Sequence, residues 1–489
     1  MSSLNRWMVC ACALLMSARV SSAADVVVDW NNVLLDTIRA TGGPPCPISR
    51  TTALVHAAIY DAVNSIDRRH EPYLDFVSAP VGVSANAAAA AAAHRVLTSL
   101  FPARTAIYDA ALAASLAAVP DGANETAGVT LGRAAADALL GERANDGTQS
   151  EPTYVIGTNP GDWRPTFPDN TTPPFNPGWG NSDPWTMVAG DQFRPVGPLG
   201  FRTMSNLLSS LGYAQQVNEV KSLGSRNSTT RTAEQTRIAY FWANDVNGTY
   251  KPPGHLNSIT QVVSRDRRLT MVENARLFAL INLAMGDAAV VAWDAKYNTN
   301  IDLWRPITAI RLAGTDGNAA TTADPNWLPL NSFTPPFPAC ISGHATFGAA
   351  HAAVMAGYFG TDNVTFTITS EDPFYNGLPS HPSRTFNKFS DAALENAISR
   401  LYLGVHFRFD ATDGNRAGTD LGKQVVRHYL RPISRADING DGALVLSDLT
   451  AFMNAYIAGQ VAADMDGNGV LNTLDVGQFV ALLAGVSPR

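Results

Sequence analysis

The chain has 489 residues, 46% of them hydrophobic and 16% charged, and a formal net charge of -7. The apolar content excludes a mostly disordered chain. The acidic balance excludes both a general nucleic-acid binder, which carries a basic stripe, and a polybasic membrane-surface protein.

Arg6 precedes an apolar run from Trp7 to Met16, and the small residues Ser21, Ser22, Ala23 and Ala24 follow. This is the layout of a secretory signal peptide over residues 1–24, with an apolar core too short to span a bilayer comfortably. The expected location is secreted, periplasmic or cell-surface-associated. Cleavage removes Arg6 and Arg19 and no acid, so the charge moves from -7 to -9. No later stretch is apolar without interruption for the roughly 18 residues of a spanning helix, so no transmembrane segment is expected after cleavage. Cys10 and Cys12 leave with the signal. Cys46 and Cys340 remain, either as a disulfide or as two buried thiols.

From Val27 to about Gly147 the pattern is helical. Val28, Trp30, Val33, Leu34 and Ile38 recur at spacings of three and four up to a stop at Gly42-Gly43-Pro44-Pro45. Ser49 is expected to open a second helix through Val63, and Ala85–Ala93 and Ala123–Leu140 to form others. Residues 151–198 break the pattern, with ten of the chain's 30 prolines interleaved with Trp163, Phe167, Phe175, Trp179 and Trp185. The aromatics predict that this long loop packs down onto the helices, either as a wall of an active-site funnel or as a surface wrap. Helical periodicity resumes near Met204. It is clear in Glu234–Asn244, Met271–Tyr297, Gly343–Phe359, Asp391–Val405 and Thr412–Tyr429. Residues 25–432 therefore read as one large, mainly α, helical-bundle domain.

Residues 433–489 read as a second, small α-helical module. Asp437-x-Asn439-x-Asp441-Gly442 recurs 27 residues later as Asp464-x-Asp466-x-Asn468-Gly469, and Asp448 and Asp475 each stand eleven positions after the first Asp. Oxygen ligands at positions 1, 3, 5 and 12, with Gly at 6 for the sharp turn, make a Ca²⁺ loop. An apolar helix follows each loop. The pair resembles dockerin type I repeats, which place Asp at position 12. That resemblance implies bound Ca²⁺ and a cohesin-like protein partner.

Three blocks carry chemistry. The first is Trp293-Asp-Ala-Lys296, continuing to Trp304-Arg305-Pro306. The second is Phe337-Pro-Ala-Cys-Ile-Ser342-Gly343-His344. The third is Ser399-Arg400, then His406, then Asp410. Lys296, Arg305 and Arg400, the Ser342 hydroxyl and the Gly343 N–H suit a tetrahedral or trigonal-bipyramidal oxyanion, because Arg forks bind such anions bidentately and Lys adds a point charge. Ser342 and Gly343 lie where a loop enters a helix, whose N-terminal N–H groups favour anions. His406 is placed to attack or ligate the central atom, with Asp410 one turn on to hold its other nitrogen. His344 is placed as a general acid/base.

The blocks resemble the signature of the vanadium-dependent haloperoxidase and type 2 phosphatidic acid phosphatase superfamily, and the wider context resembles its soluble bacterial haloperoxidase branch. Trp-Asn-Asn at 30–32, Ala-Ala-Ile-Tyr-Asp at 57–61, Phe-Trp-Ala-x-Asp at 241–245 and Ala-Thr-Phe-Gly after His344 carry that context. The resemblance implies vanadate held by Lys296, Arg305, Ser342, Gly343 and Arg400, with His406 coordinating vanadium and His344 assisting at the apical oxygen. It implies hydrogen peroxide, halide and a small organic acceptor as reactants, hypohalous acid as product, and a homodimer as one assembly. Trp293 and Phe337 match halide-pocket aromatics, or else are core residues. Asp245 matches an acid that pairs with Arg400.

Two features depart from the pattern. Lys296 and Arg305 are nine positions apart, which puts them on opposite faces of a continuous helix, so the helix must end or bulge between them. Ile341 replaces the usual Pro, and Cys340 replaces an aromatic. A thiol beside an oxidising site favours pairing with Cys46. Two further readings stand beside the haloperoxidase. One is a secreted acid phosphatase or phosphotransferase with His406 as nucleophile. The other is a calcium-dependent assembly component with a degenerate enzyme domain.

Overall fold

The computed structural model describes residues 25–440 and 443–485. The expected signal peptide and Asp441 of the first calcium loop lie outside the described residues.

The chain is mainly helical. The first half runs through α1 (Val26–Thr41), α2 (Pro45–Asp67), α3 (Ala85–Leu100), α4 (Thr105–Leu116) and α5 (Ala123–Glu142). After the Pro-rich segment come α6 (Met204–Leu208), α7 (Leu211–Leu223), α8 (Ala233–Phe241), α9 (Lys251–Arg267), α10 (Met271–Tyr297) and α11 (Pro306–Arg311). Then follow α12 (Gly343–Phe359), strand β1 (Phe366–Ile368), α13 (Pro373–Asn376), strand β2 (Arg384–Phe386), α14 (Phe389–Tyr402) and α15 (Arg408–His428). The tail holds α16 (Leu446–Ile457) and α17 (Thr473–Leu483). The two strands pair antiparallel, Thr367 opposite Thr385.

Several boundaries differ from the sequence reading. α2 begins at Pro45 rather than Ser49, because Pro45 and Pro47 sit in the first turn, where a missing N–H costs nothing. α14 stops at Tyr402, before Val405, where Gly404 turns the chain with a φ of +82°. α15 starts at Arg408, four residues before Thr412, because the Asp410 carboxylate accepts the Phe407 N–H at 3.0 Å. α9 was not expected, since its Lys-Pro-Pro-Gly opening reads as a turn. α10 is long and apolar enough to cross a bilayer, but its most apolar stretch is 94% buried, at the centre of the domain.

The packing that positions the site is that of α15 against α12. A Cβ added to Gly414 would lie 2.8 Å from the Ser342 carbonyl oxygen, one on Gly418 2.2 Å from that of Thr346, and one on Gly422 2.5 Å from that of Ala350. Three glycines one turn apart thus let the two backbones touch along about two turns. The contact places the start of α15, with His406 and Asp410, beside the start of α12, with Ser342 and Gly343. A backbone bond from Ser342 N to Asp410 O, 3.1 Å, closes the junction.

The Pro-rich segment packs down as expected, with Trp163, Trp179 and Trp185 buried. Carboxylates of α10 hold it. Asp287 accepts from the N–H groups of Trp185 and Thr186, both at 2.7 Å, and from the Thr186 hydroxyl. Asp294 pairs with Arg194. The tail has its own small core of Ala436, Ile438, Phe452, Ala463, Met465 and Phe479, with Phe452 stacked on Phe479 at 4.1 Å between centroids. It is also joined to the larger domain. Val461 enters the main core, Arg68 donates to Ile438 O at 2.5 Å, and Val81 N donates to Gly459 O at 3.0 Å.

Gly418→Ala is expected to lower the unfolding free energy by about 3 kcal/mol, since its methyl meets backbone rather than a side chain that can move. Urea denaturation of the full chain measures this. An unchanged midpoint would contradict the account of the α12–α15 contact.

Candidate active site

Four chain segments converge. α10 supplies Trp293 and Lys296 in its last two turns and ends at Tyr297, where Asn298 N still bonds Asp294 O at 2.8 Å. The chain then runs without helix to Arg305, the N-cap of α11, with Pro306 next. The helix therefore breaks between Lys296 and Arg305, and both side chains reach the same loop. That loop, residues 335–341, leads into Ser342, the N-cap of α12, whose hydroxyl accepts from Ala345 N at 3.4 Å. Arg400 comes from the last turn of α14, and His406 and Asp410 from the entry to α15.

Lys296, Arg305, Ser342, Arg400, His406 and Asp410 are all buried. The His406 Nδ1–H donates to Asp410 Oδ2 at 2.9 Å, which leaves the lone pair on Nε2, where Arg305 Nη1 donates at 3.0 Å. Burial and the flanking Arg305 and Lys296 cations hold His406 well below the ordinary imidazole value, and burial pushes Asp410 up to about 7. Arg400 Nη2 donates to Asp245 Oδ2 at 2.7 Å, the pairing the sequence suggested. Burial alone would raise Asp245, but Arg400 and His344 outweigh it and keep the carboxylate ionised. His344 Nε2 lies 3.2 Å from Ala243 O. Burial first, and then Arg400, push this imidazole down to about 4.

The donors divide into two groups. The Lys296 ammonium is fully engaged, donating to Pro338 O at 2.8 Å, Ala339 O at 3.1 Å and Ile341 O at 2.5 Å. It ties down the loop that carries Ser342. Arg305 donates Nε to Phe337 O at 2.7 Å and Nη1 to Val405 O at 2.8 Å, but its Nη2 is buried with no acceptor among the described residues. Arg400 Nε and Nη1 are likewise buried and unpaired among the described residues. Buried guanidinium N–H groups without acceptors are costly, so this arrangement fits an anion with several oxygens. Ser342 and the N-terminus of α12 stand at the same place.

A cavity of about 300 Å³ opens above these groups, lined among others by Gly343, His344, Arg400, His406, Trp293 and Phe337. The Trp293 and Phe337 rings pack against each other at a tilt of 49°, with 4.8 Å between centroids. Phe175 of the Pro-rich segment also lines the cavity, and its carbonyl accepts from Trp293 Nε1 at 3.0 Å, so this loop forms part of the wall. Sequence reasoning missed Phe333, Pro335 and Pro336, although their aromatic–proline run before Phe337 was a usable signal. It also missed Asn247 and Lys251, which had none. Cys46 and Cys340 are both buried free thiols, so the disulfide alternative is not the one adopted. The Lys296 cation lies close enough to both to act on their electrostatics.

Residues 276–435 match the family described as the VCPO second helical-bundle domain. The chain is 29% identical to a vanadium chloroperoxidase of Curvularia inaequalis, over 79% of each sequence. It also superposes on a solved bacterial vanadium-dependent iodoperoxidase with a TM-score of 0.68 at 26% identity, covering 83% of this chain and 96% of that one. In sequence and in fold the chain is similar to vanadium haloperoxidases. A bacterial vanadium-dependent chloroperoxidase, at 18% identity and a TM-score of 0.60, shares the fold. The haloperoxidase-type blocks are thus the ones the fold brings together: all three meet at one buried cradle, and the longer Lys–Arg gap is absorbed by the end of α10.

Arg400→Ala removes two of the unpaired donors and is expected to weaken binding of inorganic phosphate or orthovanadate about 100-fold. Lys296→Met strands three carbonyls instead. It is expected to cost about 3 kcal/mol of stability while changing the anion dissociation constant less than Arg400→Ala does. Calorimetric titration and denaturant unfolding of both variants separate these roles.

Proposed function

We propose that this chain is a vanadate-dependent haloperoxidase that oxidises halide with hydrogen peroxide to hypohalous acid. The observation that carries the reading is the set of buried, unpaired Arg305 and Arg400 N–H groups around an imidazole whose far nitrogen is fixed by Asp410. Arg305, Arg400, Ser342 and the Gly343 N–H would hold the vanadate oxygens, with His406 Nε2 as the ligand to vanadium and Lys296 keeping the Ser342 loop in register. Bound vanadate supplies the Lewis acidity that activates peroxide toward halide. His344, pushed down to about 4, is neutral near pH 7. With Nε2–H directed to Ala243 O, its Nδ1 is the atom that takes up and returns a proton. Asp245 orients Arg400 at 2.7 Å and stands 3.7 Å from His344 Nε2. The aromatic wall of Trp293 and Phe337 excludes water from the face a halide approaches.

Phosphate has the same tetrahedral oxyanion form and would suit the same cradle, so the assay must separate peroxidase from phosphomonoesterase. Iodide and bromide oxidation by peroxide is expected to require added orthovanadate and to fall at least 1000-fold in His406→Ala, on the order of other essential catalytic groups. Phosphomonoester hydrolysis that vanadate inhibits, with no halide oxidation, would replace this reading with the phosphatase.

We also propose that residues 1–24 direct export and that residues 433–489 bind two Ca²⁺ ions and dock a cohesin-like partner. In support of the calcium reading, Asp448 Oδ1 accepts from Ile438 N and Asn439 N, and Asp475 Oδ1 accepts from Met465 N and Asp466 N, the same pattern in both repeats. Carboxylate oxygens of Asp464, Asp466 and Asp475 lie within 4.8 Å of one another. In support of docking, Met453 and Val480, equivalent positions of the two repeats, are both exposed. Calorimetry on the full chain is expected to show two Ca²⁺ sites, and Asp475→Ala to remove one. Absence of Ca²⁺ binding would refute the module's assignment.

A further inference from the structure

Halide oxidation uses the floor of the cavity but leaves one side chain of its wall without a task. Lys251 lines the cavity with Asp245, His344 and Arg400, and it is buried at 6% exposure. It opens α9 with a φ of +58°, a left-handed conformation that costs a non-glycine residue about 1 kcal/mol or more. Local contacts enforce that conformation: Lys251 N donates to Thr249 Oγ1 at 3.2 Å, and its Nζ donates to Asp245 O at 2.5 Å. Among the described residues Nζ makes that one hydrogen bond, so two of its N–H groups stand ready for an acceptor. The Asp245 carboxylate makes no ion pair with Lys251 and attracts it only from longer range, because Arg400 binds it and His344 stands beside it. A buried ammonium with so little compensation calls for an anionic group of a ligand.

The rest of the wall says what that ligand carries. Phe333, Phe337, Trp293 and Phe175, with Pro44 and Pro335, make an apolar, mostly aromatic wall. At about 300 Å³ the cavity lies at the lower end of small-molecule sites and admits one ring rather than a fused system.

We propose that this cavity binds the organic acceptor itself, a hydroxylated aromatic acid whose ring lies against Trp293, Phe333 and Phe337 and whose carboxylate pairs with Lys251. The inference rests on the haloperoxidase reading. Peroxide and halide supply hypohalous acid. A π pair of the ring then forms the carbon–halogen bond, the halogen–oxygen bond breaks, and the departing hydroxide takes the ring proton as water. Halogen transfer thus occurs in the cavity rather than in bulk solution.

The test uses vanadate-free full chain and two probes of the same size, 4-hydroxybenzoate and uncharged 4-hydroxybenzyl alcohol, in calorimetric titration. Wild type is expected to bind the acid at least tenfold more tightly. Lys251→Met is expected to lose that preference and Lys251→Arg to keep most of it. With vanadate, peroxide and bromide present, the KM for 4-hydroxybenzoate is expected to rise about tenfold in Lys251→Met, without a matching rise in the KM for bromide. Equal affinity for the two probes in wild type overturns the proposal, and so does a preference that survives in Lys251→Met. A KM effect confined to bromide also overturns it and assigns Lys251 to the halide. Because the empty Arg305–Arg400 cradle would itself favour an acid, the loss of preference in the Lys251 variant decides, and Lys251→Gln takes the place of Lys251→Met if that variant does not fold. A chain that oxidises no halide fails the haloperoxidase reading, while the probe preference still reports on the cavity.

Discussion

The site depends on how closely α15 can approach α12. Gly414, Gly418 and Gly422 bring the two backbones into contact, and any side chain larger than hydrogen there would push them apart. Because His406 and Asp410 sit at the entry of one helix and Ser342 and Gly343 at the entry of the other, this contact sets the distance between the imidazole and the anion-favouring helix N-terminus. The Ser342 N to Asp410 O bond locks the arrangement, and Asp410 then serves twice, through its backbone oxygen and through its carboxylate on His406.

Around that junction the protein accepts an unfavourable charge arrangement. Lys296, Arg305, Arg400 and Lys251 are buried or nearly so, while Asp245 and Asp410 are the carboxylates that face them, and burial has already pushed Asp410 up to about 7. Excess buried positive charge destabilises the chain unless an anion enters, so stability and affinity for an oxyanion are two sides of one feature. Lys296 shows how the fold limits the damage. Its ammonium is solvated by three carbonyl dipoles of the loop before Ser342, so a side chain expected to meet the ligand holds the ligand's binding loop instead. The Pro-rich segment is treated the same way: Asp287 and Asp294, on the buried helix α10, hold an irregular chain that lacks its own hydrogen-bond ladder and let Phe175 become part of the cavity wall.

The tail is not joined to the helical domain by a bare linker. Arg68, at the end of α2, bonds the backbone of the first repeat loop, and Val461, between the two repeats, enters the main core. The duplicated carboxylate caps of Asp448 and Asp475 show that each repeat folds by the same local rule. What differs between them is their surroundings: Gly440 of the first repeat loop packs against Phe76, while Gly467 of the second lies by Arg435.

The three chemical blocks, the helices with regular apolar spacing and the tail repeat were legible in the sequence, because each is a local pattern: a periodicity, a spacing or a turn residue at a set position. Met271–Tyr297 and Gly343–Phe359 were read to the residue for that reason. The tertiary structure decided whatever depends on which distant groups end up as neighbours. It showed where α10 ends so that Lys296 and Arg305 share a loop, and it left Cys46 and Cys340 as separate thiols. It turned the Pro-rich segment into a wall and put Lys251, silent in the sequence, into the cavity. Hydrogen-bond partners, burial and close backbone contact are set by the whole chain at once. No window of the sequence contains them.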